Sequence, residues 1–149
     1  MVEFGRVYID ASVILRRVLN QPGALRHVEW ETAFASELIA VELYRTVNNL
    51  RITGEASFES QALLREAVQA SVAALDLVPL DHIVLNHAGG PFATPIRTLD
   101  AIHLATALLW ADHFDGSLTL LTHDRQLAVA ARASGLAVHP WPLKPVSRL

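Results

Sequence analysis

The sequence predicts an α/β fold in three layers, a mainly parallel central sheet with helices on both faces. Two observations carry that expectation. Short apolar runs alternate with segments of helical spacing in the order β-α-(α)-β-α-α-β-α-α-β-α-β, the pattern of a parallel sheet covered on both sides. Acidic residues recur where the strand-like runs stop, and in open α/β sheets the crevice beyond the carboxyl ends of the strands is where ligands bind. With 149 residues the chain predicts a single domain, 1–149, ending in a Pro-containing tail from about residue 140.

The first strand is Val7-Tyr8-Ile9, apolar, β-branched and aromatic, and it stops at Asp10. Val13, Ile14, Leu15, Val18 and Leu19 follow at helical spacing until Asn20-Gln21-Pro22-Gly23 ends the helix. Ala24 to Trp30 reads as a short second helix, and Thr32 to Ala35 as a weak strand. Ser36 stands where an N-cap belongs, before a helix that runs to about Leu50. Ser57 caps another helix, rich in Ala, Leu, Glu and Gln, that reaches Ala74. Asp76 to Asp81 reads as a strand whose Pro79 points to a sheet edge or a strand end. His82 to Ala88 is a short helix stopped by Gly89-Gly90-Pro91. After a loop, Thr98 caps a helix from Leu99 to Ala111 that is apolar nearly all round, the mark of burial on several sides. Leu118 to Leu121 is a strand, Arg125 to Ser134 a helix ended by Gly135, and Ala137 to His139 a last strand before the extended tail.

Composition narrows the function classes. The formal charge is −3, so no strong global field attracts nucleic acid. The chain has no cysteine, which removes disulfides and thiolate metal sites and suits a reducing cytoplasm. The N-terminus lacks a secretory pattern, because Glu3 and Asp10 interrupt it, and no stretch has the roughly 18 apolar residues of a membrane helix. Hydrophobic residues make up 52%, an excess that predicts apolar surface covered by a partner or a second copy.

Asp10, Glu42, Asp100 and Asp124 each lie at a strand end or in the first part of the following helix. A parallel sheet can bring all four to one edge. Carboxylates crowded together repel one another and take up protons, and a divalent cation removes that cost. Oxygen-only donors are what Mg²⁺ or Mn²⁺ prefers, and such an ion activates water and stabilises a phosphoryl transition state. The constellation therefore suggests metal-assisted phosphodiester hydrolysis. Structural readings stay open beside it: Asp10 and Asp124 suit N-caps, Glu42 an ion pair with Arg45, and Asp100 the helix macrodipole. Thr122 reads as a hydroxyl supporting the acids, and Ser36 as a second supporting residue. His103, one turn after Asp100, reads as a core histidine with one satisfied nitrogen. Zinc, dinucleotide, P-loop and serine-hydrolase motifs are missing from the sequence.

Taken in order, four stretches resemble the PIN-domain nucleases: Tyr8-Ile9-Asp10-Ala11-Ser12; Ser36 with Leu38, Val41-Glu42-Leu43 and Arg45; Arg97-Thr98-Leu99-Asp100 through Ala107; and Leu121-Thr122-His123-Asp124-Arg125. The run Leu99-Asp100-Ala101-Ile102-His103-Leu104-Ala105 is the most specific of them. The resemblance spans about residues 5 to 140, and the chain length is similar to that of the VapC toxins of toxin–antitoxin pairs. It implies a PIN-like α/β/α fold and a Mg²⁺- or Mn²⁺-dependent cytoplasmic endoribonuclease. Asp10 and Asp100 would be direct metal ligands, with Glu42 and Asp124 completing the shell or orienting water. It also implies an RNA substrate, a VapB-like antitoxin partner, and a homodimer or toxin–antitoxin hetero-oligomer, without a membrane. Setting the four acids aside leaves a formal charge of +1. RNA phosphates would therefore be met locally, by Arg16 with Arg17, Arg97 and Arg125. Trp30 and Trp110 suit base stacking less well than packing. The alternatives are a housekeeping PIN-domain RNA-processing nuclease without an antitoxin and a non-catalytic α/β binding module. A phosphotransfer receiver is disfavoured, because Ala11 and Ser12 follow Asp10 where a second acid would be needed, and Lys144 is the only lysine.

Overall fold

The computed structural model describes residues 1–141. In chain order the elements are β1 (Val2–Ile9), α1 (Ala11–Val18), β2 (Val28–Ser36), α2 (Leu38–Ile52), α3 (Phe58–Ala73), β3 (Asp76–Val78), α4 (His82–Ala88), α5 (Thr98–His113), β4 (Thr119–Leu121), α6 (Arg125–Ala133) and β5 (Ala137–His139). The five strands form one sheet in the order β3-β2-β1-β4-β5, and every adjacent pair is parallel.

The period-two alternation of strand side chains divides the core between two faces. Val7 and Ile9 of β1, with Ala33 and Ala35 of β2 and Leu121 of β4, pack under α1, α2 and α3. Tyr8, Phe34 and Leu120 point the other way, against α5 and α6. β1 lies mid-sheet with both faces covered, so Val7, Tyr8 and Ile9 are wholly buried. That explains why they read as one apolar run without polar alternation. α5 is buried over the consecutive residues His103 to Ala107, as its apolar circumference predicts.

The chain winds outward from β1 through β2 to β3, then returns to β4 on the other side of β1. The order therefore reverses between β1 and β4, and the crevice beyond their carboxyl ends is the topological switch point. Ile9 lies level with Leu121 there, so Asp10 and Thr122 emerge side by side. Pro79 follows directly on β3, which is an edge strand, so its missing N–H costs no ladder bond.

Three sequence expectations are corrected. Ala24 to Trp30 is not a helix: β2 begins at Val28, in register with Val2 of a β1 that is itself five residues longer than its apolar run. The alternation of Val28, Trp30 and Thr32 with Glu29 and Glu31 is a strand pattern, and it starts too early to leave room for another helix. Thr98 is not an N-cap either. Arg97 holds that position without a side-chain bond, and Thr98 is the first helical residue. Ser36 likewise is the last residue of β2, and Glu37 takes the N-cap position of α2 without a side-chain cap bond. The extended tail read beyond Trp141 lies outside the described residues.

Candidate active site

Asp10 leaves β1 with its backbone N–H still donating to Leu121 O at 3.1 Å, and it caps α1. Its carboxylate is nearly buried, and three donors converge on one oxygen. Oδ2 accepts from the Ser12 amide at 3.3 Å, the Ser12 hydroxyl at 2.5 Å and the Thr122 hydroxyl at 2.9 Å. The two hydroxyls are themselves held by the turn after β4, where the His123 amide donates to Ser12 Oγ and the Asp124 amide to Thr122 Oγ1, both at 2.9 Å. Each hydroxyl thus relays a backbone N–H onto the carboxylate, which fixes its orientation. Oδ1 receives none of these bonds. Capping and site membership are compatible, since the ψ of 152° at Asp10 lets the acid serve both.

The other acids arrive from three helices. Glu42 stands one turn into α2, and its Oε1 takes the Nε2–H of His103 at 2.5 Å. Asp100 sits in the first turn of α5. Burial pushes its carboxyl above the usual range, the charges of Asp124 and Asp10 push the same way, and Arg97 opposes them. Asp124 caps α6 through Leu127 N at 2.9 Å, which leaves Oδ2 to Arg97. The Arg97 guanidinium bridges Asp100 and Asp124 at 3.3 and 3.2 Å, but its side chain is 72% exposed, so the pair is screened and weak.

All four acids, with Ser12 and Arg97, line one open cavity of about 500 Å³ at the switch point. Among the described residues no three acidic or histidine side chains stand close enough to chelate an ion as they are. Arg97 and His103 occupy the oxygens of Asp100, Asp124 and Glu42 instead. The donor set nonetheless fits a hard divalent cation. It offers carboxylate oxygens only, and at Asp100 burial first, then the charges of Asp124 and Asp10, raise the carboxyl pKa against the opposition of Arg97, a cost that a cation would offset.

Of the other predicted residues, Thr122 touches the acids directly and Ser36 does not. Ser36 Oγ accepts the Leu38 amide at the start of α2, and its backbone N–H donates to the Tyr8 hydroxyl at 3.0 Å. Among the described arginines only Arg97 lines the cavity. Arg16 donates to Pro22 O in the loop after α1, and Arg125 lies exposed at the start of α6. Trp30 packs against the α1–α3 side of the core and Trp110 against Phe34.

Three residues were missed. Ser12 had a signal, since a hydroxyl two residues after a strand-end Asp is placed for a local side-chain bond. His103 has partners on both ring nitrogens, not one: Glu42 at Nε2 and the Tyr8 hydroxyl at Nδ1, 2.8 Å away. Burial alone would lower its pKa, but the bond to Glu42 and the charges of Asp10, Glu42 and Asp100 raise it. Tyr8 had no signal beyond the rule that a buried tyrosine hydroxyl finds a partner.

A parallel three-layer α/β sheet with an acidic cavity at its switch point defines the class of protein. Within that class the chain belongs to the PIN-domain family, whose model matches residues 7–133. It is of the VapC type, being 33% identical over 136 residues to Ribonuclease VapC46 of Mycobacterium tuberculosis, with 89% of this chain and 95% of that protein covered. The fold is also that of FitAcB from Neisseria gonorrhoeae, with a TM-score of 0.63 and 21% identity over 89% of this chain and 95% of that one. VapBC2 from Rickettsia felis, solved with a DNA fragment from its promoter, gives a TM-score of 0.60 at 12% identity over 91% and 98%.

Proposed function

We propose that this chain is a Mg²⁺- or Mn²⁺-dependent endoribonuclease, the toxin of a toxin–antitoxin pair. The observation that carries the reading is the convergence of four carboxylates, from β1, α2, α5 and α6, on one open cavity at the switch point of the sheet. Asp10 and Asp100 are the principal metal ligands, and Glu42 and Asp124 complete the shell or orient the attacking water. When bound, the ion supplies Lewis-acid stabilisation of the phosphate and a water of lowered pKa. The chain supplies the rest. Ser12 and Thr122 fasten Asp10 by one oxygen and leave the other for the cation. Arg97, at the rim, exchanges its carboxylate partners for a phosphate of the RNA.

A curated relative bears the name ribonuclease, which supports RNA as the substrate. Similar folds were solved as VapBC assemblies, which supports a VapB-like antitoxin as partner. Exposed apolar side chains of α2, α3 and α4, among them Ile52, Phe58, Leu63 and Ile83, offer surface for such a partner or for a second copy.

The test is incubation of the purified protein with total RNA in Mg²⁺ or Mn²⁺, with the new ends mapped. Discrete cuts that disappear in EDTA are the expected result, and intact RNA under both ions would overturn the reading. Expression without an antitoxin should arrest growth, whereas harmless high-level expression would point to a housekeeping nuclease.

Thr122→Val tests the support for Asp10. The substitution keeps the shape but removes the donor to Oδ2 and leaves the Asp124 amide unpartnered. Loss of a residue that orients a metal ligand costs about 10–100-fold in metal affinity or activity. Mn²⁺ calorimetry on the folded variant should show a loss in that range, and wild-type affinity would remove Thr122 from the site.

A further inference from the structure

We propose that His103, held from behind by Tyr8, is the positioning residue for Glu42, and that this buried relay sets how tightly the acidic cavity takes a divalent cation. The inference rests on the metal-dependent reading above, and its test is arranged so that the two fail differently.

The relay crosses four elements. The Ser36 amide at the end of β2 donates to the Tyr8 hydroxyl on β1. That hydroxyl pairs with His103 Nδ1 on α5, and His103 Nε2 pairs with Glu42 Oε1 on α2. Tyr8, His103 and Ser36 have no exposed surface at all, while the Glu42 side chain is 21% exposed and reaches the cavity. The polar chain thus runs from the closed interior to the open site.

The chemistry of the partners gives it a fixed sense. An ionised carboxylate only accepts, so Nε2 carries its hydrogen in either charge state of the ring. The tyrosine hydroxyl donates to a neutral Nδ1 or accepts from a protonated one. With a partner at each nitrogen the ring is held in one orientation.

Positioning matters because Glu42 needs it. A glutamate has three side-chain torsions, and partly exposed at a cavity wall it would otherwise exchange rotamers and lose that freedom on binding an ion. Fixing one oxygen in advance lowers the cost of binding, the general effect of preorganisation. His103 Nε2 also lies 3.9 Å from Asp10 Oδ1. The same nitrogen therefore sets the spacing between the acid of α2 and the acid of β1. A merely structural histidine would stabilise the fold to the same extent whether or not Glu42 were present.

The experiment is Mn²⁺ titration, by calorimetry and by electron paramagnetic resonance, of the wild type, His103→Leu, His103→Gln, Glu42→Ala and the His103→Leu/Glu42→Ala pair, with thermal melts alongside. His103→Leu should weaken Mn²⁺ binding by about 10–100-fold. His103→Gln, which restores a donor, should recover most of that loss. In the Glu42→Ala background the leucine should cost no further affinity, although it still lowers the melting temperature. Equal losses of affinity with and without Glu42 would reduce His103 to a structural residue, and wild-type affinity in a folded His103→Leu protein would end the proposal. Should His103→Leu not fold, Tyr8→Phe removes one oxygen and should weaken Mn²⁺ several-fold, again only when Glu42 is present. A wild type that takes up no Mn²⁺ would bring down the metal-dependent reading and the relay together, whereas wild-type binding with indifferent variants brings down the relay alone.

Discussion

Asp10→Asn is expected to slow RNA cleavage by about a thousandfold or more and to leave the protein folded. The magnitude follows from what the carboxylate does. A bound divalent ion contributes several kcal/mol of transition-state stabilisation, and about 1.4 kcal/mol is tenfold in rate, so losing one of the two principal ligands proposed above would remove three decades readily. The fold survives for a local reason. Asparagine is isosteric and also a good N-cap, and its single oxygen can take the Oδ2 position, where the bonds from Ser12 N, Ser12 Oγ and Thr122 Oγ1 are made. The amide NH₂ then faces the cavity in place of Oδ1, where it cannot ligate a cation. Removing this charge also relieves one of the repulsions acting on Asp100, so the melting temperature should stay within a few degrees of the wild type. The measurement is single-turnover cleavage of a mapped RNA beside a thermal melt. Cleavage at the wild-type rate would take Asp10 out of the catalytic set, and an unfolded variant would make it a structural residue.

How much of this was legible in the sequence depends on the range of the interaction. Asp10 and Asp124 announce themselves because each follows an apolar run and opens a helix, a signal within a few residues. Asp100 stands out because an acid in so apolar a helix demands a reason. The parallel order of the strands also follows from local alternation, and the family resemblance reinforced it. What escaped is what depends on pairing across the chain. Tyr8 and His103 are 95 residues apart and His103 and Glu42 are 61, and no spacing rule links them. A histidine inside an apolar helix looks the same whether one nitrogen is satisfied or two. The strand at Val28 was missed for a related reason, since its partner Val2 precedes the apolar run that marks β1. Arg16 and Arg125 lie near acids in sequence, but a helix turns successive side chains to different sides, and among the described arginines only Arg97 lines the cavity.

Saturating Mg²⁺ or Mn²⁺ should raise the melting temperature by about 5–10 °C, and EDTA should reverse the gain and abolish cleavage with it. A ligand that binds only the folded state at a hundred times its Kd stabilises by about 2.7 kcal/mol, and a domain of this size shifts by about 2–4 °C per kcal/mol. The pH dependence carries a definite sign. Burial first, then the charges of Asp124 and Asp10, hold the Asp100 carboxyl above its unfolded value in spite of Arg97. The metal-free fold is therefore spared the cost of that buried charge below the ordinary carboxylate range. It loses stability as pH rises through the raised value, and is constant in this respect above it. The cation requires the ionised form, so its effect runs the opposite way. The thermal gain on adding metal should grow as pH rises through the Asp100 value and shrink on acidification, because protons and the ion compete for the same oxygens. Asp100→Asn should flatten both trends at once, by removing the repulsion in the metal-free protein and a ligand in the loaded one. A gain that persists undiminished in Asp10→Asn and Asp100→Asn, or that ignores acidification, would place the ion away from the cavity. The acids would then be read as what their positions first suggested, caps and helix-start charges gathered at a sheet edge.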